Sequence, residues 1–273
     1  MKKIILAFSI VAMAFVGCSK DDVENPAPEY QIVVNMDKPS FGEDVRAART
    51  SWESGDEVYV AFNGDVYVGF EVQKYLKLTY DGSSWTPTWV GTTAAEVAAK
   101  ETKTLSAGYM NSASNVSTLK SYGFLMFDTV LPNGVCTMHC EDGTYSVSGS
   151  TITLNIVMQH RTAQVTVRGI DVTDNWTLKC DELLQLGGFC FDPSGVGDAA
   201  YDYNYPLHGF ANADGISFFG QVRNSLSSSD TIVFTLTNGT KTYTRSFTGK
   251  TLKDGDAIIM DGPESGKWSD ITE

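Results

Sequence analysis

Few side chains in this 273-residue chain are suited to chemistry, and they are scattered. His139, His160 and His208 are its imidazoles, and no H-E-x-x-H, G-x-S-x-G, phosphate-loop or EF-hand spacing accompanies them. Residues 136–140 read Cys-Thr-Met-His-Cys. Covalent haem attachment requires C-x-x-C-H, the opposite order at its end, and ligands this close together leave a zinc ion without a distant fourth. Neither a metal nor another cofactor is expected. Carboxylates paired by folding rather than by spacing are the one enzymatic route left, and the expectation is a protein that is not an enzyme. Residues 195–210, GVGDAAYDYNYPLHGF, alternate Tyr201, Tyr203 and Tyr205 with Asp202 and Asn204. Aromatic faces stack on sugar rings while amides and carboxylates bind hydroxyls, so these five residues are a candidate glycan or protein contact. The same alternation also suits a half-buried strand packing its tyrosines.

The amino terminus carries a different kind of chemistry. Lys2 and Lys3 precede an apolar run from Ile4 to Val16, which ends in Gly17-Cys18. As a helix that run rises about 20 Å, short of the roughly 20 residues a membrane span needs, so it reads as a signal peptide over residues 1–17. A small residue followed by cysteine at this boundary resembles a bacterial lipobox, with Cys18 the lipidated residue. Several acyl chains, at about 0.8 kcal/mol per buried methylene, make such an anchor stable. Residues 18–29, polar and carrying Pro26 and Pro28, are the expected flexible tether. Without residues 1–17, the chain keeps 18 basic and 33 acidic side chains, a formal charge of −15. That balance excludes nucleic acid and electrostatic binding to anionic lipid, which leaves attachment to a membrane to the lipid alone.

An exported chain can form disulfides, and Cys136, Cys140, Cys180 and Cys190 are available. Extended, Cys136 and Cys140 lie about 13 Å apart, beyond the roughly 7 Å reach of a bridge. Gly187-Gly188 can turn the chain between Cys180 and Cys190, which makes these two the favoured pair. Free buried thiols are the alternative.

The elements that must position these residues are strands. Val58, Val60 and Phe62 alternate before Asn63-Gly64, and Val66, Val68, Phe70 and Val72 follow it. Asn-Gly between alternating runs is a strong hairpin signal. It recurs at Asn238-Gly239, with Asp81-Gly82 a close equivalent and Asn133-Gly134 a weaker one. Only residues 93–101 read as a short helix. Many short strands with frequent turns predict an all-β sandwich architecture. Within 151–172, Ile152, Leu154, Ile156 and Met158 share one face, and Ala163, Val165 and Val167 take the other parity. A strand cannot change face by itself, so a bulge or a crossing between sheets is expected near Arg161-Thr162, with His160 at the switch. Thr173 to Trp176 reads as the exit from a first domain, giving domains over 30–173 and 174–273. No internal repeat of fixed period is visible.

Four segments, in order, resemble the fimbrillin-like surface lipoproteins of Bacteroides-type bacteria. They are the lipobox with its acidic follow-on Ser19-Lys20-Asp21-Asp22, RAARTSWESGDEVYVAF (46–62), MQHRTAQVTV (158–167) and LKDGDAIIM (252–260). The resemblance implies two tandem transthyretin-like β-sandwich domains after the signal peptide and tether. It implies a surface-exposed lipoprotein of the cell outer membrane, and other fimbrial subunits as partners. It further implies that an Arg-specific protease cuts after the first strand, here at Arg46 or Arg49, and that a strand from another subunit then fills the groove by β-strand addition. YQIVVNM (30–36) is the strand that would leave, with Tyr30, Ile32, Val34 and Met36 on one face. The tail after Ile258-Ile259-Met260 offers only Trp268 and Ile271 as apolar side chains, a poor donor strand. An accessory, tip or anchoring subunit is therefore expected rather than a stalk subunit. The alternative is a glycan-binding surface lipoprotein that uses Tyr201, Tyr203 and Tyr205, with a host or microbial surface glycan or protein as its partner.

Overall fold

Turn chemistry and strand periodicity build two cores. The computed structural model describes residues 29–40, 51–62, 74–110, 126–128, 137–184, 188–190, 206–223, 230–249 and 252–272. In the first half the strands are β1 (Gln31–Asp37), β2 (Glu57–Phe62), β3 (Tyr75–Tyr80), β4 (Trp85–Val90), β5 (Thr104–Met110), β6 (Met126–Asp128), β7 (Thr137–Ser148), β8 (Thr151–Val157) and β9 (Gln159–His160). One mixed sheet has the order β1-β8-β7-β5-β2-β3-β4, with β9 added beside β7. The predicted Asp81-Gly82 hairpin joins β3 to β4. The Asp81 carboxylate accepts from the Ser83 and Ser84 backbone N–H groups at 2.8 and 2.7 Å, and Gly82 takes φ 104°. Strand β4, which carries Pro87, lies at the sheet edge, where a missing N–H costs no ladder bond.

The expected face of Val58, Val60 and Phe62 is buried in the first core, and Tyr59 and Ala61 on the opposite face are buried as well. Because β2 lies between β3 and β5 and is covered on both sides, simple alternation understates its burial. The Asn63-Gly64 and Asn133-Gly134 turns lie outside the described residues. Strand β7 is long enough to serve three neighbours, pairing β5 through Thr137–Thr144 on one side, and β8 through Thr144–Ser148 and β9 through Met138–His139 on the other. Its register slips against β5 between Leu105 and Ala107. Opposite this bulge, a Cβ on Gly143 would stand 2.3 Å from Leu105 Cδ1, so a larger residue there would force the buried Leu105 side chain to move. Strands from both ends of the sheet share one core, with Leu76, Leu78 and Leu105 from β3 and β5 and Ile152, Leu154 and Ile156 from β8. The short helix α1 (Ala94–Ala99) forms where expected, closed by a Thr93–Glu96 capping box and anchored by buried Val97.

The second half contains β10 (Ala163–Arg168), β11 (Thr177–Lys179), β12 (Leu183–Leu184), β13 (Gly188–Cys190), β14 (Leu207–His208), β15 (Phe210–Asn212), β16 (Gly215–Val222), β17 (Thr231–Thr237), β18 (Thr242–Thr248), β19 (Ala257–Asp261) and β20 (Ser269–Asp270). One sheet runs β12-β16-β10-β19 with β15 beside β16, and a second runs β14-β11-β17-β18-β20. They share a core of Val165, Val167, Phe218 and Met260 from the first sheet and Leu178, Ile232, Phe234 and Leu236 from the second. Asn238-Gly239 turns β17 into β18 as predicted. Strands β6 and β13 pair with each other.

The change of face near Arg161-Thr162 is a crossing between sheets. Strand β8 belongs to the first sheet and β10 to the second. The cores change hands between Met158 and Ala163, ahead of the boundary expected at 173–174. The apolar parity shift marks this change because it records which core a strand faces, whereas Thr173–Asn175 form an exposed turn that leads into Trp176 of the second core. On the face of its sheet opposite the second core, Phe219 and Ala257 pack against the first core. Beside them Gln164, Thr166 and Ser217 form a buried hydrogen-bonded cluster. Strand β10 is thus buried on both faces.

Candidate functional site at the end of the first strand

Strand β1 is the outermost strand of its sheet. Among the described residues it pairs with β8 alone, in parallel and in unbroken register from Gln31↔Thr151 to Asp37↔Val157. Its inward set, Tyr30, Ile32, Val34 and Met36, packs on the first core as predicted, yet each remains only partly buried. Such a strand contributes one row of backbone bonds and one row of apolar contacts.

Its far end is built differently. Lys38 continues the inward-facing parity of the even-numbered residues, and its side chain is 4% exposed. The Nζ donates to Asp56 Oδ2 at 3.0 Å and to Tyr109 Oη at 3.3 Å. It also lies 4.8 Å from the ring centroids of both Trp52 and Tyr109, within cation–π range. Tyr109 Oη in turn donates to Asp56 Oδ1 at 2.9 Å, and the Glu53 backbone N–H donates to Asp56 Oδ2 at 2.9 Å. Trp52 is fixed edge-on by Trp85 and Tyr109, at centroid distances of 5.0 and 5.2 Å. One residue further on, His160 Nε2 donates to the Pro39 carbonyl at 3.0 Å. Breaking a buried ion pair of this kind by removing one partner costs about 3–5 kcal/mol, so the end of β1 is held much more firmly than its middle.

The turn that presents Asp56 recurs. In Glu53–Asp56, Asp56 N donates to Glu53 O at 2.9 Å, its carboxylate takes the Glu53 N–H, and Gly55 has φ 94°. In Lys253–Asp256, Asp256 N donates to Lys253 O at 3.1 Å, its carboxylate takes the Lys253 N–H at 3.0 Å, and Gly255 has φ 87°. Each turn opens a strand, so the chain contains a local structural repeat where none was expected from period.

Between the halves, His139, Gln159, His160, Arg161, Val222, Lys253 and Asp254 line a pocket of about 500 Å³. Burial, with Arg161 nearby, pushes His139 down to about 4. Burial also pushes His160 down to about 4, with its Pro39 bond opposing the shift. Both rings are therefore neutral at neutral pH. Burial raises the Asp254 carboxyl, which accepts from Val222 N at 2.9 Å. His139 Nδ1 stands 3.2 Å from Glu141. No cluster of three metal-ligating side chains occurs among the described residues.

The Cys180 thiol, one half of the expected Cys180–Cys190 bridge, is buried and donates to Glu182 Oε2 at 3.1 Å. Burial and that carboxylate push its pKa up to about 12, so the reactive thiolate is suppressed. The Cys190 side chain lies outside the described residues, as do Cys18, Arg46, Arg49, Tyr201, Asp202, Tyr203, Asn204 and Tyr205. Lys38, Asp56 and Tyr109 were missed as a group. The available signal was Trp52-x-x-Gly55-Asp56 together with a lysine on the inward parity of β1.

No family model matches the chain, and no curated protein matches it. Solved structures do. A fimbrial protein from Bacteroides ovatus is 13% identical over 87% of this chain and 49% of its own, with a TM-score of 0.45, so this chain spans about half its length. A candidate cell-adhesion protein, also from Bacteroides ovatus, is 11% identical over 89% of this chain and 96% of its own, with a TM-score of 0.47. The tip fimbrial protein Mfa3 from Porphyromonas gingivalis, with a carboxyl-terminal truncation, is 11% identical over 79% and 80%, with a TM-score of 0.36. These are similarities of outline, and what the protein does must be argued from its own edges.

Proposed function

We propose that this protein is a non-enzymatic subunit of surface fimbriae, held by lipid on Cys18 in the bacterial outer membrane, whose first strand is replaced by a strand from another subunit. The two cores are then two transthyretin-like sandwiches in tandem, and cleavage at Arg46 or Arg49 frees β1 from the rest of the chain. The supporting observation is β1 itself, an outermost strand that among the described residues is paired on one side, with its apolar side chains partly buried on the first core. Strand addition needs such a place, because main-chain bonds supply affinity and alternate side chains fill pockets.

The other end of the chain argues for an accessory, tip or anchoring subunit. Trp268 is buried in the second core, its Nε1 donates to the Asp261 carbonyl at 2.8 Å, and β20 pairs with β18. A tail committed in this way is not available for donation. The test is treatment of the folded, lipid-free protein with an Arg-specific protease, followed by mass and oligomeric state. A single cut at Arg46 or Arg49 without self-assembly into ladders is expected. Resistance of both sites in the folded protein would overturn the processing step, and ladders formed by this chain alone would overturn the accessory role.

A further inference from the structure

We infer that the place held by β1 selects its occupant by a cation at the strand's end, and that Asp56, Tyr109 and Trp52 are the specificity-determining groups. This rests on β1 being replaceable. Backbone bonding to β8 is blind to sequence, and the partly buried row of Tyr30, Ile32, Val34 and Met36 accepts a range of apolar shapes. Only the last inward position is chemically exacting. Lys38 follows Met36 by two residues, so it is the final member of the same alternating row. It meets a carboxylate that is 8% exposed and two aromatic faces.

An occupant without a cation there leaves Asp56 with its bonds from Tyr109 Oη and Glu53 N but with no counter-charge, in a place where water cannot replace one. The occupant that fits is a strand of four apolar residues at alternate positions with Lys or Arg two residues after the last. The carboxyl-terminal strand of a second copy of this chain does not fit. Neither Ile258-x-Met260 nor Ala257-x-Ile259 is followed on the same parity by further apolar residues and a cation, since Gly262 and Glu264 continue one row and Asp261 and Pro263 the other. The occupant is therefore a segment that carries this pattern, and not the carboxyl-terminal strand of a second copy.

The experiment uses the lipid-free mature chain with a specific protease sequence inserted between residues 41 and 50 and then cleaved, so that β1 stays seated but can exchange. Fluorescent peptides covering residues 29–39 compete for its place. They are the native sequence, Lys38→Arg, Lys38→Met of matched length, and Val34→Asp as a strand-disrupting control. Native and Lys38→Arg peptides are expected to enter, with Lys38→Met at least about tenfold weaker and Val34→Asp not entering. Entry of Lys38→Met within about twofold of native would overturn the cation rule and leave strand replacement standing. Failure of the native peptide to enter would remove strand replacement and this proposal together. In an Asp56→Asn chain the preference for lysine over methionine should collapse. If that variant does not fold, the peptide series on the unaltered chain still decides.

Discussion

Glu53–Asp56 in the first half and Lys253–Asp256 in the second close the same turn, with a left-handed glycine third and an aspartate that caps its own first residue. From the first, the chain runs into β2, buried on both faces at the centre of a sheet. From the second, it runs into β19, a half-buried edge strand parallel to β10. The aspartates differ accordingly. Asp56 is sealed against Lys38 and Tyr109, whereas Asp256 is half-buried and its carboxylate makes the local cap. A turn that only redirects the chain has become, in the first half, the wall of a cation site. Both halves also have a parallel edge strand, β1 on β8 and β19 on β10. Strand β19 is locked by Gly262 N–H donating to Arg168 O at 2.7 Å and by Trp268 beyond it. Strand β1 has its lock at the carboxyl end, in Lys38 and Pro39.

The largest expected effect breaks or upholds this contrast directly. Asp56→Ala should cost about 3 kcal/mol, because it strands a buried ammonium, whereas Asp256→Ala should cost about 1 kcal/mol, the worth of a local cap. Urea unfolding followed by tryptophan fluorescence measures both, since Trp52, Trp85 and Trp89 pack against the first core and Trp176 and Trp268 belong to the second. Equal losses would mean that the two turns do the same job and that the Lys38 site is incidental.

The resemblance between the turns was invisible as a repeat because only Gly and Asp are shared, and they lie some 200 residues apart. What was legible depended on local rules. Parity predicted the inward face of β1 and the crossing at Arg161-Thr162, and Gly-containing turns predicted the β3–β4 and β17–β18 hairpins. Pairing order was not legible. Nothing local says that β1 lies parallel to β8, more than a hundred residues away, or that β7 pairs with β5, β8 and β9. The cation site was hidden for the same reason. Lys38 reads as a solvated charge after a strand, and its partners come from Trp52, Asp56 and Tyr109 on separate segments. Glycine spacing between Cys180 and Cys190 suggested a bridge, but spacing carries no information about Glu182, which accepts from the Cys180 thiol and raises its pKa.

The next effect in size tests whether the end of β1 is coupled to the junction between the halves. His139 and His160 are neutral in the folded protein, with pKa values near 4 against the usual 6.5. As pH falls below about 6.5 the unfolded chain takes up protons that the folded chain refuses, so stability is intact above that point and is lost progressively down to about pH 4. Between pH 7 and pH 5 the loss is on the order of 2 kcal/mol for each of them. His160→Gln keeps an N–H able to reach Pro39 O and removes one titration. Its midpoint relative to the unaltered protein should therefore rise as pH falls from 7 to 5. A constant offset across that range would show that His160 serves the end of β1 only through its hydrogen bond.

The smallest effect is the sharpest check that the turns are equivalent. Gly55 and Gly255 have φ 94° and 87°. A Cβ meets nothing within 4 Å at Gly55 and only ordinary contact with His160, at 3.8 Å, at Gly255. Alanine at either place therefore costs only the backbone term, about 1 kcal/mol, and the two losses should agree within a few tenths. That agreement would separate geometry from burial, because the turns would be alike in the energy stored by the glycine and unlike only in what the aspartate faces. A markedly larger loss for Gly255→Ala would mean that contact with His160 is tight. The second turn would then belong, with β1, to the structure that holds the junction, and the contrast between the halves would narrow to Lys38 alone.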